Sequence, residues 1–124
     1  MAYYRFVSDQ ELQLINRNRA ILPTGHFPPY QPNEVVCIFE SEDLSALFTR
    51  YGPLLADMRE IPVGGRLTIL MIDASGLTIE TDASQSGWPE SRVVRGAIQV
   101  TRLRTAAEGI VVSNRAGNVV LNWA

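Results

Sequence analysis

Apolar positions recur with two different periods along this chain, and the change from one to the other divides it. Tyr3 to Val7 alternates as a strand does, with Tyr3, Arg5 and Val7 on one face and Tyr4 and Phe6 on the other. Aromatic and branched residues suit that conformation. Ser8 and Glu11 then form a capping-box pair, and Leu12, Leu14 and Ile15 give a modest apolar side, which predicts a helix from about Asp9 to Arg17 or Asn18. The segment Pro23 to Asn33, with four prolines and His26, Phe27 and Tyr30, is too proline-rich for regular structure and too aromatic for a plain linker. Glu34 to Glu40 reads as a largely buried strand. Ser41 is placed to cap a second helix, whose stripe of Leu44, Leu47, Phe48 and Tyr51 falls at helical spacing and is expected to stop at Gly52-Pro53.

Beyond Pro62 the period is that of strands. Arg66 to Ile72 follows the Gly64-Gly65 turn, Asp73 to Gly76 is a turn signal, and Leu77 to Thr81 is expected to continue antiparallel. Asp82 to Pro89 is a polar loop carrying Trp88. Ser91 to Val100 reads as one strand reaching toward Leu103, and Ile110–Val112 with Val119–Leu121 reads as a hairpin around Asn114 to Asn118. The order predicts an α+β fold: an antiparallel-rich, split sheet with two helices in the N-terminal half. A length of 124 residues suits a single domain spanning 1–124, since two cores would each be marginal.

Composition narrows the chemistry. A net charge of −2 gives no support to nucleic-acid binding. All 11 basic residues are arginine, which excludes lysine Schiff-base chemistry and a Walker-type phosphate loop. No apolar run approaches the roughly 20 residues of a membrane helix, so no membrane association is expected. The N-terminus reads as a strand rather than a basic leader before an apolar stretch. With a single cysteine, Cys37, that suggests the cytoplasm, or export without a classical signal peptide.

Few residues are equipped for catalysis. One histidine and one cysteine do not build a usual zinc set, and Asp73, Glu80 and Asp82 lack calcium-loop spacing. A Ser-His-Asp hydrolase would depend on His26, with no Gly-x-Ser-x-Gly elbow to accompany it. Between Gly25 and Phe27, His26 is an ordinary loop residue or one that stacks on a ligand. Cys37 has no basic neighbour in sequence and reads as a small core residue. Gly64-Gly65 is more often a tight turn than a phosphate nest. Arg92, Arg95, Arg102 and Arg104 split by parity over two faces, as a solvated sheet does. Two residues stand out. Arg5 carries a permanent charge inside an aromatic strand and demands a partner, either a structural carboxylate or a ligand phosphate. Glu90, set by Pro89 at a strand start beside a loop, is either a solvated carboxylate at a strand edge, the reading that spacing alone favours, or one that accepts hydrogen bonds from sugar hydroxyls and stabilises a developing positive charge.

Three pieces in this order resemble the ADP-ribosyltransferase fold in its small bacterial toxin-like members: Tyr4-Arg5-Phe6-Val7-Ser8 leading into a helix, Ile38-Phe39-Glu40-Ser41 running into a helix that reaches Tyr51, and Glu90 to Ile98 as Glu-x-x-Val-Val-x-Gly-x-Ile. The resemblance covers roughly residues 3 to 103. It implies an NAD-consuming transferase or glycohydrolase, a toxin or effector, with a protein antitoxin, immunity partner or protein acceptor. It implies Arg5 on the phosphate and ribose side of NAD, Ser41 supporting the nicotinamide ribose, and Glu90 as the catalytic carboxylate. Tyr30 or Phe27 in the proline-rich loop is expected, from the chemistry of the loop rather than from the resemblance, to stack on the nicotinamide ring. Many arginine-modifying members carry Glu or Gln two residues before the catalytic Glu; Trp88 stands there, which leaves another acceptor or water. The related RES-type toxins share the early arginine, but their Gly-Gly-Arg-Trp signature is missing. The alternative is a non-catalytic α+β module that binds protein through the loop 23–33, and a third is an oligomer-forming protein using the terminal hairpin. Arg5 and Glu90 decide between them: the enzyme requires both in one cleft.

Overall fold

Among the described residues, seven strands form one antiparallel sheet with the N-terminal strand at its centre. The computed structural model describes residues 2–24, 30–31, 33–58, 60–82, 88–115 and 118–122, with 113–115 and 118–122 as backbone only. Its elements are β1 (Ala2–Ser8), α1 (Asp9–Asn18), β2 (Ala20–Ile21), β3 (Val35–Ser41), α2 (Leu44–Met58), β4 (Arg66–Ile72), β5 (Ile79–Thr81), β6 (Ser91–Arg95), β7 (Ile98–Gln99), a 3-10 turn (Val100–Arg102), β8 (Leu103–Arg115) and β9 (Asn118–Asn122). The sheet runs β5-β6-β3-β1-β4-β8-β9, and β2 pairs with β7 separately. The α+β class and the two helices in the N-terminal half are therefore as the sequence pattern predicts.

The sheet opens beside β1. On one side β1 pairs with β4 along its length, from Tyr3↔Ile72 to Ser8↔Leu67. On the other it pairs with β3 only at Ala2↔Ser41, Tyr3↔Glu40 and Tyr4↔Phe39. Beyond Phe39, β3 stays with β6 down to Val35↔Arg95 and parts from β1. The two faces bury separate apolar clusters. Tyr4, Phe6 and Phe39 meet Leu47, Phe48, Tyr51 and Leu55 of α2, while Val7, Val36, Ile38 and Leu70 meet Ile15 of α1 and Ile21 of β2.

Several elements differ from expectation for identifiable reasons. Helix α2 continues through Pro53 to Met58. Proline removes one hydrogen-bond donor, but Leu55 and Ala56 extend the Leu47–Tyr51 stripe and are buried at 3% and 0% exposure. Its cap is Asp43, whose carboxylate accepts from the Ala46 N–H at 3.1 Å, whereas Ser41 Oγ, two residues before it, accepts from the Asp43 N–H. The turn after β4 does not return the chain beside it; β5 crosses to pair with β6 at the opposite edge. The strand expected from Ser91 to Val100 breaks at Gly96, whose φ of 85° redirects β7 onto β2. Strand β2 is two residues long, too short to leave a periodic signal.

Candidate functional site

A cavity of about 730 Å3 lies where β1 and β3 part, lined from β1 by Arg5, from α1 by Glu11, from β3 by Cys37 and Phe39, and from the β5–β6 side by Asp82, Trp88 and Ser91. The local sequence explains why the cavity is polar at chosen points. Arg5 stands on the α1 face of β1 at 5% exposure. Its Nε donates to Glu11 Oε2 at 2.6 Å, and its Nη1 donates to the Cys37 carbonyl at 2.6 Å. Glu11 is in reach because Ser8 caps α1 immediately after β1, with Ser8 Oγ accepting from the Glu11 N–H at 3.1 Å. The Cys37 carbonyl is in reach because no β1 ladder bond competes for it past Tyr4. Arg5 thus bridges the opened strands. Among the described residues Nη2 has no hydrogen-bond partner, and that edge of the guanidinium remains for a ligand.

The sequence pattern did not point to Asp82 or Ser91. They are buried at 5% and 3% exposure, and Ser91 Oγ donates to Asp82 Oδ2 at 2.8 Å. Ser91 shares the parity of buried Val93 on β6, so a hydroxyl on an inward position was the available signal. Asp82 follows β5 at the start of a polar loop, where carboxylates are usually exposed, and nothing in its spacing marks it. Four polar or charged side chains are buried among the described residues, and three of them, Arg5, Asp82 and Ser91, line this one cavity. Burying such groups is costly unless they are partnered, so their concentration around open space points to a binding site. The remaining wall is largely apolar, including Ile15, Leu55 and the Trp88 ring.

Glu90 stands apart from this cavity, although its neighbours Trp88 and Ser91 line it. Its carboxylate faces α2. Arg50 Nη1 donates to Oε1 at 2.8 Å, and the Tyr51 hydroxyl donates to Oε2. The Glu90 carbonyl accepts from the Glu40 N–H at 2.9 Å, which fixes its backbone beside β3. Tyr51 stacks on Trp88 at 5.3 Å and on Phe39 at 5.0 Å between ring centroids, and of these three rings Phe39 and Trp88 line the cavity. Burial raises the Glu90 pKa, but donation from Tyr51, from its own backbone N–H and from Arg50 outweighs it and holds the carboxyl below the ordinary glutamate value. Burial, then the same carboxylate, pushes the Tyr51 hydroxyl up to about 12.

The other sequence candidates scatter. Ser41 pairs with Ala2 at the far end of β3 and shapes the turn into α2. The Tyr30 hydroxyl donates to the Thr81 carbonyl at 3.5 Å, and the Arg95 guanidinium lies 6.0 Å from its ring, away from the cavity wall. His26 and Phe27 lie outside the described residues. Gly64 and Gly65 give their N–H groups to the Val112 and Pro62 carbonyls, as a turn does and a phosphate nest does not. Arg92 pairs with Glu40 at 3.4 Å, and Arg95 with Glu34 and Glu80. Among the described residues no three His, Cys, Asp or Glu side chains are grouped to hold a metal ion, and no helix is long and apolar enough to cross a membrane. No family model, no curated protein and no solved structure matches this chain.

Proposed function

We propose that the cavity between β1 and β3 binds NAD and that the protein consumes it by releasing nicotinamide, as an ADP-ribosyltransferase or NAD glycohydrolase. The observation that carries this proposal is the gathering of Arg5, Asp82 and Ser91 on one cavity whose wall also carries Trp88, two residues from an ionised Glu90. The nicotinamide ring lies inside against Trp88, a phosphate takes the remaining edge of Arg5, and the ribose between them lies at the Trp88 rim. There Glu90 exchanges a contact with Arg50 or Tyr51 for a ribose hydroxyl. The bond from ribose C1′ to the pyridinium nitrogen breaks, and its electron pair leaves with neutral nicotinamide. The positive charge on the sugar is stabilised by the carboxylate, and water or an acceptor nucleophile adds at C1′ and gives its proton to solvent.

Against the enzyme stands its requirement that Arg5 and Glu90 share one cleft: Arg5 is paired with Glu11 and Glu90 with Arg50, and Glu90 does not line the cavity that Arg5 lines. That favours a non-catalytic small-molecule or protein-binding module. Incubation with NAD while following free nicotinamide, alongside thermal melting with and without NAD, separates the two. The enzyme releases nicotinamide, and Glu90→Gln abolishes release while NAD still raises the melting temperature. Neither release nor a melting shift leaves the binding module.

A further inference from the structure

We propose that a second groove, where β4 ends and β8 begins, binds a phosphate group through the guanidiniums of Arg102 and Arg104. The groove has a volume of about 990 Å3 and shares no lining residue with the cavity between β1 and β3. The two sites are therefore independent, and this one does not rest on the NAD assignment. Arg104 stands directly opposite Met71 in the β4–β8 ladder. Its Nε and Nη2 both donate to Met71 Sδ, at 3.3 Å and 3.0 Å. Paired guanidinium N–H groups form the fork that grips a carboxylate or phosphate, and here they converge on a thioether, a weak acceptor. Arg102 is held differently. Its Nη1 donates to the Asp73 carbonyl at 3.1 Å and to the Ser75 carbonyl, which fixes it over the turn after β4.

Carboxylates satisfy the preceding arginines of the same run: Arg92 pairs with Glu40, and Arg95 with Glu34 and Glu80. Among the described residues neither Arg102 nor Arg104 makes an ion pair. An anionic oxygen is a far better partner for a guanidinium than a thioether sulfur, so an incoming anion displaces Met71 at little cost. The Asp73 carboxylate lines the same groove, with Oδ1 accepting from the Ser75 N–H at 3.0 Å. Its pKa is lowered first by hydrogen bonds from Ser75 and then by the charges of Arg102 and Arg104, so both guanidiniums act on one spot. One negative charge against two positive ones leaves that spot net positive. A tetrahedral phosphate has oxygens for both guanidiniums and for the Ser75 hydroxyl, whereas the two oxygens of a carboxylate fill one fork. Tyr3, Leu77 and Leu103 add apolar surface to the groove, which suits the alcohol part of a phosphate monoester.

The test is an NMR titration of the isotope-labelled protein at constant ionic strength, with inorganic phosphate, phenyl phosphate and acetate as probes. Both phosphates are expected to give saturable shifts in the backbone amides of residues 73–76 and 101–104, with acetate at least about tenfold weaker. Phenyl phosphate binding more tightly than inorganic phosphate identifies a monoester as the ligand; equal binding identifies free phosphate. Arg104→Ala, a change at an exposed side chain, is expected to weaken phosphate at least about tenfold. Arg104→Lys is expected to recover little of that loss, because a point charge does not replace a fork. Met71→Leu conserves volume and removes the competing sulfur, so it is expected to bind phosphate at least as tightly as the parent. Absence of saturable shifts, shifts confined to the cavity between β1 and β3, or acetate equal to phosphate each overturns the proposal. So does unchanged binding in Arg104→Ala, full recovery in Arg104→Lys, or a loss in Met71→Leu as large as that in Arg104→Ala. The comparison of probes needs no variant, so it decides even where a substitution disturbs the fold.

Discussion

Two arginine–glutamate pairs flank the opening in the sheet, and they differ in what surrounds them. Arg5–Glu11 is closed off, with side-chain exposures of 6% and 23%; Arg50–Glu90 is open, with 53% and 28%. The separation is 2.6 Å in one and 2.8 Å in the other, so distance does not distinguish them. Burial does. A buried guanidinium without its carboxylate is a charge stranded in low dielectric, whereas an exposed one returns to water at little cost. The first pair is therefore a fixed bridge from β1 to α1. The second, Arg50–Glu90, is a pair whose arginine can return to water at little cost.

The largest way to break the contrast is Glu11→Ala. Removing one partner of a buried pair typically costs 3–5 kcal/mol, and the partial exposure of Glu11 sets the expectation at the lower end, about 3 kcal/mol. In a domain of this size that lowers the melting temperature by roughly 10 °C. Glu11→Gln keeps an acceptor for Nε and is expected to lose clearly less. Denaturant melts of the two variants check this, and a loss below about 1 kcal/mol for Glu11→Ala would show that Arg5 is satisfied elsewhere.

Tyr51→Phe comes next. It keeps the ring stacked on Phe39 and Trp88 and removes only the hydroxyl that donates to Glu90. A hydrogen bond to a charged group contributes about 1.5–3 kcal/mol, and the partial exposure of Glu90 again favours the lower value. The same pair acts at alkaline pH. The Tyr51 pKa is raised from 10.0 to about 12 in the folded state, so its contribution is fully present below pH 10.0 and is lost as pH rises through about 12. Stability measured over that interval is expected to fall in the parent protein more than in Tyr51→Phe.

The sequence was most legible where a single period governs a segment. Strand β1, helix α1 and strand β4 appear within a residue or two of the pattern, because alternation or a capping box sets each locally. It was least legible where a distant partner decides. Helix α2 passes Pro53 because Leu55 and Ala56 have a core to enter, and β5 leaves β4 because β6 offers an edge at the far side of the sheet. The site follows the same rule. Arg5 was visible as a charge in an aromatic strand, and its need for a partner was visible too. That partner, Glu11, is only six residues away, but it was recognisable beforehand only as part of a helix cap. Asp82 and Ser91 become a pair only when β5 and β6 lie side by side, so Asp82 carried no signal of its own and Ser91 only that of a hydroxyl at an inward position.

Arg50→Ala tests the open pair, and its effect is expected to be small. Arg50 is more than half exposed and also lies with its guanidinium 5.3 Å from the Tyr51 ring centre. Exposed pairs of this kind contribute about 0.2–1 kcal/mol, lessened further by salt. A loss of at most about 1 kcal/mol that shrinks in high salt keeps the contrast with Glu11→Ala; a loss equal to that of Glu11→Ala would erase it.

The finest distinction is in the acid limb of the stability curve. The Glu90 carboxyl is held below its ordinary value: burial works against this, and donation from Tyr51 and Arg50 prevails. A depressed folded-state pKa means that the unfolded chain takes up the proton first. The contribution of Glu90 is then fully present above its unfolded pKa, and it is lost as pH falls through the lower folded value. Glu34 and Asp73 are lowered in the same direction, chiefly by hydrogen bonds from the Gln31 backbone and from Ser75, so the acid limb of the parent protein is a sum over several carboxylates. Glu90→Gln isolates one of them. Its stability is expected to approach that of the parent as the pH is lowered, because a protonated Glu90 and a glutamine both leave Arg50 without an anion. A difference between the two proteins that stays constant down the acid limb would mean that Glu90 contributes by shape and neutral hydrogen bonding, and that Arg50–Glu90 is a contact without electrostatic consequence.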